Sequence, residues 1–178
     1  MNLKDKKILI AYYSRKGNNW FGNGIVDLKV GNTEVAAKLI QDITGGDLFH
    51  IEAVHAYPIG YDECTEVAKV EFKAKARPEI TNKVDHFEHY DVIFLGYPNW
   101  WGTMPMPSFT FIDSYDFTGK IVIPFCTHEG SAMGNSERDI IKSLPNAKVL
   151  KGLAIKGSLV ASSRPAIEQW ISSIERDN

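Results

Sequence analysis

The chain has 178 residues, enough for one domain whose core buries roughly 70% of the unfolded surface without help from disulfides or metal. Hydrophobic residues at 44% and charged residues at 24% exclude a disordered chain, a collagen-like repeat and a coiled coil. With 20 basic against 22 acidic residues the net charge is −2, so neither a basic face for nucleic acid nor an acidic tail is indicated.

Cys64 and Cys126 lie far apart and form no Cys-x-x-Cys pair, which argues against a zinc site or a disulfide framework and for a reducing compartment. Residues 1–7 are charged, and the apolar run behind them, 8–13, is too short for a signal peptide or a membrane helix. The expectation is a soluble, cytoplasmic, single-domain protein spanning residues 1–178, with no nucleic-acid or membrane partner.

Residues 7–13 form a short continuous apolar run, the pattern of a strand covered on both faces. Residues 33–43 place Val35, Ala36, Leu39, Ile40 and Ile43 at helical spacing, and Gly45-Gly46 stops them. A second strand follows over 47–54. Residues 62–76 predict an exposed helix with Val67, Val70 and Phe72 on its apolar side, ended by Arg77-Pro78. A third strand covers 91–97. A short helix with Phe109, Phe111 and Ile112 comes after Pro105 and Pro107, and a fourth strand covers 120–126. Residues 136–144 predict a helix with Ser136 as N-cap, 149–156 a fifth strand interrupted by Gly152, and 164–174 the closing helix.

Strands alternating with helices must run parallel, and short apolar strands need helices on both faces. The predicted fold is therefore a doubly wound, three-layer α/β sandwich on a five-stranded parallel sheet. Ligands in such folds bind beyond the carboxyl ends of the strands, where strand order switches. This singles out the loops after Tyr13, Tyr97 and Cys126. The first is anomalous. Residues 14–31 far exceed the usual two to six residues of a strand-to-helix turn, and the alternation over 25–30 predicts a small hairpin inserted at about 18–30.

The first loop begins Ser14-Arg-Lys-Gly17 and rejoins the helix at Gly31-Asn32-Thr33. Unpaired N–H groups at a helix start, with hydroxyl and amide donors beside them, suit a phosphate; simple capping by Asn32 or Thr33 is the plainer alternative. Neither Gly-x-x-x-x-Gly-Lys-Ser/Thr nor Gly-x-Gly-x-x-Gly occurs, which disfavours a nucleoside triphosphatase and a standard dinucleotide binder. The second loop, Tyr97-Pro-Asn-Trp-Trp-Gly-Thr-Met-Pro105, carries two adjacent tryptophans that cannot both point inward from one strand. A rigid aromatic wall of this kind fits a flat heteroaromatic ligand, or else a rim or partner patch. The third loop, Thr127-His-Glu-Gly-Ser131, adds small residues and hydrogen-bonding groups. No Gly-x-Ser-x-Gly elbow supports a serine hydrolase, and His86 and His89 lack a second ligand pair, so neither catalytic nor metal-ligating residues are assigned.

Together the three loops resemble those of short flavodoxin-like proteins, whose first loop reads Tyr-Ser-Arg-x-Gly-Asn-Thr; the likeness runs from Ile8 to about Ile174. The resemblance implies strand order 2-1-3-4-5 and FMN as cofactor. It places Ser14, Arg15, Asn32 and Thr33, with Lys16 beside them, at the phosphate. Pro98, Asn99, Trp100, Trp101 and Gly102 would line the isoalloxazine ring, and Thr127, His128, Glu129, Gly130 and Ser131 would close its other side. The insertion departs from the family pattern by splitting the phosphate motif, and it sets Trp20 and Phe21 where they could cover ligand or partner.

The expectation that follows is an FMN-binding redox protein passing electrons to a reductase or acceptor protein. The small net charge favours electrostatic docking only weakly. The alternatives are an FMN-dependent NAD(P)H:quinone-type oxidoreductase acting on a small-molecule acceptor, and a flavodoxin fold without flavin that serves as a binding module.

Overall fold

A computed structural model describes residues 1–177. Strand β1 (Ile8–Tyr13) is buried along its whole length, as its unbroken apolar run requires. Its side chains alternate between two cores: Ile8, Ile10 and Tyr12 face one side, and Leu9, Ala11 and Tyr13 the other. Strands β5 (Val92–Pro98) and β6 (Ile121–His128) repeat this alternation. With β4 (Asp47–Ile51) they form a parallel sheet ordered β4-β1-β5-β6, which β7 (Lys148–Val149) and β8 (Leu153–Lys156) complete by both pairing with β6. Counting β7 and β8 as one interrupted strand and leaving the inserted hairpin aside, this is the expected 2-1-3-4-5 order.

The interruption at Gly152 has a cause. Val122 pairs with Val149 and Phe125 with Leu153, so residues 123–124 of β6 face residues 150–152, a bulge beside Pro124, which has no N–H to give the ladder. A Cβ at Gly152 would lie 2.6 Å from the Pro124 carbonyl oxygen.

Helix α1 (Asn32–Thr44) packs Ala36, Ala37 and Ile40 onto one face of the sheet beside Ile167, Trp170, Ile171 and Ile174 of α5 (Arg164–Asp177). Gly45 ends α1 in the left-handed conformation, φ 71°, its N–H donating to the Gln41 carbonyl at 2.7 Å. The opposite face is covered by α3 (Met106–Asp113), through Phe109, Phe111 and Ile112, and by Ile140 of α4 (Ser136–Ser143). No helix among the described residues is long and apolar enough to cross a membrane.

Two local expectations are corrected. Ser136 is the first helical residue of α4 and not its cap: it is buried, accepts from the Tyr97 hydroxyl at 2.9 Å and donates to the Met133 carbonyl at 2.6 Å. Helix α2 (Tyr61–Ala74) presents a different face from the one its valines suggest: Cys64 and Ala68 are buried, whereas Val67, Val70 and Phe72 are exposed. Small residues let α2 close on the Trp100–Trp101 loop, and that approach sets its rotation. It ends at Lys75 (φ 49°), whose N–H reaches the carbonyls of Glu71 and Phe72, before Arg77-Pro78 is reached.

The inserted segment is a hairpin, as expected: β2 (Gly17–Phe21) pairs antiparallel with β3 (Gly24–Leu28).

The tightest packing constraint in the sheet is Gly96 in β5, where an added Cβ would fall 2.1 Å from the Phe125 ring. Gly96→Ala should therefore lower unfolding stability by about 1–3 kcal/mol through overpacking, read as a lower urea midpoint with an unchanged slope; an unshifted midpoint would contradict this packing.

Candidate functional site

Parallel strands end on the same side, so the loops after β1, β5 and β6 converge there. Ser14 leaves β1 and meets the start of α1 directly. Its Oγ accepts the Glu34 N–H at 3.0 Å, and a Cβ on Gly31, the N-cap of α1, would lie 2.2 Å from that same oxygen. The hairpin thus leaves the sheet after Arg15 and returns to the point it left. The N–H groups of Asn32 and Thr33 have no partner among the described residues, as expected of a helix start. The Thr33 side chain is committed elsewhere: its Oγ1 lies 2.8 Å from the Thr127 Oγ1 in a buried hydroxyl pair that ties the first loop to the third.

Arg15 braces the hairpin. Its guanidinium donates to the carbonyls of Asn18 in the hairpin and of Pro58 and Ile59 (both 2.6 Å), with a longer bond to Gly60 at the start of α2. The side chain of Asn19 donates back to the Arg15 and Gly17 carbonyls. Lys16 is exposed.

The second loop is a tight turn held at both ends. Trp100 and Thr103 exchange backbone hydrogen bonds, and between them Trp101 (φ 54°) and Gly102 (φ 83°) are left-handed, the pair of conformations of a type I′ turn. A tryptophan at positive φ is costly, of order 1–3 kcal/mol, and persists only where its surroundings hold it. The Asn99 side chain does so, accepting from the Gly102 N–H at 3.0 Å and donating to the Ala132 carbonyl of the third loop at 2.9 Å. The two indoles part company. Trp100 packs edge-on against Tyr13 and Tyr57, with centroids 5.4 and 5.1 Å away. Trp101 lies over α2, its Nε1 donating to the Thr65 carbonyl at 3.1 Å and its ring 5.2 Å from the Lys69 ammonium.

In the third loop, the Gly130 N–H donates to the His128 Nδ1 at 2.9 Å, which puts the proton of the neutral ring on Nε2. Burial lowers the His128 pKa, with the Lys156 ammonium acting in the same direction and Glu129 opposing. The Glu129 carboxylate is a clamp: it accepts from the Gly22 N–H at the hairpin tip (3.2 Å) and from the N–H and hydroxyl of Ser158 (2.5 and 3.0 Å). Together Arg15 and Glu129 hold the hairpin across the mouth of the site, from the start of α2 to the third loop.

These elements enclose a cavity of about 580 Å³. Of the residues expected from the sequence, Arg15, Asn32, Pro98, Asn99, Trp100, Trp101, Thr127, His128, Glu129, Gly130 and Ser131 line it. Ser14, Thr33 and Gly102 adjoin these lining residues and organise them through the contacts above. Sequence reasoning missed the side built by Asn19, Tyr61, Cys64, Thr65 and Ala68. The available signal was the helical spacing 61, 64, 65, 68, masked by the more apolar Val67 and Val70. Burial raises the Cys64 thiol pKa, with Arg15 pulling the other way, and the thiol stays protonated at neutral pH. Away from the cavity, Glu88 joins His86 and His89 in an exposed cluster whose ligand atoms lie within 4.8 Å of one another.

A doubly wound parallel sheet with a cavity at its switch point, walled by aromatic loops and a free helix N-terminus, defines a flavodoxin-type protein. The flavodoxin family model matches residues 7–174, and the chain belongs to that family. Among solved structures it is similar to a candidate flavoprotein from Bacteroides eggerthii, at 32% identity over 96% of this chain and 98% of that one, with a TM-score of 0.77. A second, from Bacteroides uniformis, is 31% identical over 94% of this chain and 98% of its own, also at 0.77. A Lactobacillus acidophilus flavoprotein in complex with FMN shares the fold at 22% identity, covering 88% of this chain and 97% of its own with a TM-score of 0.65. No curated protein matches the chain.

The His128 environment makes a pH prediction. Its folded pKa lies below the ordinary 6.5, so the folded chain binds this proton less readily than the unfolded chain. The associated stability is full above about pH 6.5 and is lost as pH falls from there through the folded value. An NMR titration should place the His128 midpoint below 6.5; a midpoint at or above it contradicts the burial described.

Proposed function

We propose that the chain binds FMN non-covalently in this cavity and acts as a redox protein. The observation that carries the reading is the pairing of a helix start whose Asn32 and Thr33 N–H groups are free with an aromatic loop wall in one cavity at the switch point. The donors fit the group. Asn32 and Thr33 offer N–H groups and a partial positive charge to a phosphate, and the Ser14 hydroxyl, accepting from Glu34, still has its own proton to give. Pro98 to Trp101 and His128 to Ser131 would flank the ring system. The Bacteroides relatives carry the same fold at over 30% identity, and the Lactobacillus protein holds FMN on it.

Bound FMN would supply the electron and hydride chemistry, and the chain supplies position, burial and hydrogen bonds. Within the second loop, the N–H groups of Asn99, Trp100 and Gly102 are spent on Thr127, Thr103 and the Asn99 side chain. The Trp101 N–H and the Asn99 and Trp101 carbonyls remain free among the described residues, and these are the groups available to a ring edge that gains or loses a proton. The indoles of Trp100 and Trp101 exclude water from one side. A His128 ring that is neutral at physiological pH would offer no positive charge to a group bound beside it.

As an electron carrier the protein would hand electrons to a partner protein in the cytoplasm. A second reading, exchange with a small molecule, is favoured by one feature: α2 adds a further wall, Tyr61, Cys64, Thr65 and Ala68, to the cavity lined by the loops after β1, β5 and β6.

Asn32→Asp tests the phosphate assignment. An aspartate at a helix start favours the helix, so the fold is retained, but it opposes a phosphate at the same N–H groups. FMN affinity should fall at least about tenfold, ~1.4 kcal/mol, while riboflavin affinity, which involves no phosphate, changes little. Equal effects on both ligands, or none on FMN, would sink the assignment.

A further inference from the structure

Part of the cavity lies away from the loops at the strand ends. Its wall is one face of α2, where Tyr61, Cys64, Thr65 and Ala68 follow one another along about 10 Å of helix axis. The floor, Cys64, Thr65 and Ala68, is made of small side chains, and both ends are aromatic. At one end Trp20 of the hairpin leans on Tyr61, centroids 6.2 Å apart and rings tilted by 44°. At the other, Trp101 is fixed by its bond to the Thr65 carbonyl. The two indoles are 44% and 45% exposed although both border the cavity. Half-exposed rings at the two ends of a stretch of small residues leave apolar surface that a flat ligand would cover.

The charge of this half narrows the ligand. The α2 wall itself carries no carboxylate, the Glu129 carboxylate elsewhere in the lining is engaged by the Gly22 N–H and by Ser158, and Arg15, whose guanidinium bonds go to carbonyl oxygens, has no acidic partner among the described residues. A planar cation is disfavoured there, whereas a neutral ring or one bearing an anionic substituent is accepted.

We propose that the trough between Trp20 and Trp101 over α2 is a subsite for a planar aromatic small molecule of quinone type, neutral or anionic. The proposal deepens the flavin reading, on which it rests for its neighbour but not for its walls. In a redox protein, an occupied trough would bring a small acceptor beside the cofactor without a protein partner. Hairpin residues 17–28, held by Arg15 and Glu129, would then be the device that builds the subsite.

The test is an NMR titration of the FMN-loaded chain with anthraquinone sulfonate, a planar anion that does not arylate thiols, with methyl viologen as the cationic control. The expected result is saturable shifts at the indole N–H groups of Trp20 and Trp101 and the amides of residues 61–68, with none from methyl viologen. Thr65→Phe fills the trough and should weaken the probe at least tenfold while FMN affinity stays within twofold. Trp20→Ala, on an exposed hairpin position, should weaken it as well, and Trp20→Phe should restore most of the loss. Shifts centred elsewhere, unchanged affinity in both Thr65→Phe and Trp20→Ala, or displacement of the probe by FMN would overturn the proposal. A chain that binds no FMN refutes the flavin reading separately, and the trough is then judged on the flavin-free chain by the same shifts and variants.

Discussion

The site depends on where α1 begins, and that point is fixed by two hydroxyls. Thr33 at the first turn of α1 and Thr127 at the end of β6 share a buried hydrogen bond of 2.8 Å. Thr33 belongs to the helix that covers one face of the sheet, and Thr127 to a central strand. Their contact therefore sets the helix N-terminus beside the third loop with little freedom. A buried hydroxyl left without its partner costs about 1–3 kcal/mol, so the pairing is strongly enforced. The rest of the helix start follows from it: Ser14 satisfies the Glu34 N–H one residue further in, and the N–H groups of Asn32 and Thr33 are left without a partner among the described residues.

The same constraint explains how a long insertion is tolerated in the first loop. Ser14 and Gly31 are far apart in sequence yet in contact in space, so the segment between them leaves and returns at one place and the local geometry at the helix start is preserved. What leaves is a hairpin with little packing of its own, held at its root by the carbonyl bonds of Arg15 and at its tip by Glu129. Both residues look from sequence like ligand contacts. In the structure their polar atoms are mostly spent on the chain, and the hairpin they secure becomes a wall of the cavity.

The sheet was legible because its strands are buried on both faces and therefore unbroken in hydrophobicity; β1, β5 and β6 need no tertiary information to be recognised. The hairpin was legible from alternation. The three converging loops followed from topology and their aromatic and glycine content, and most of their residues do line the cavity. The rotation of α2 was not legible, since Val67 and Val70 outweigh Cys64, Thr65 and Ala68 in any hydrophobic count. The buried face is chosen by how closely the helix must approach the Trp101 turn, which favours small side chains over apolar ones. Ser136 was misjudged for a related reason: the residue type suits a cap, but a hydroxyl partner from β5, Tyr97, draws it inside.

The central claim is that the start of α1 is the phosphate end of a flavin site. The most direct measurement is the amide spectrum of the labelled chain with FMN and, separately, with riboflavin. The Asn32 and Thr33 amide protons should move strongly downfield with FMN and stay nearly still with riboflavin, while the Trp101 amide responds to both. FMN binding that leaves the Asn32 and Thr33 amides unmoved would contradict the claim.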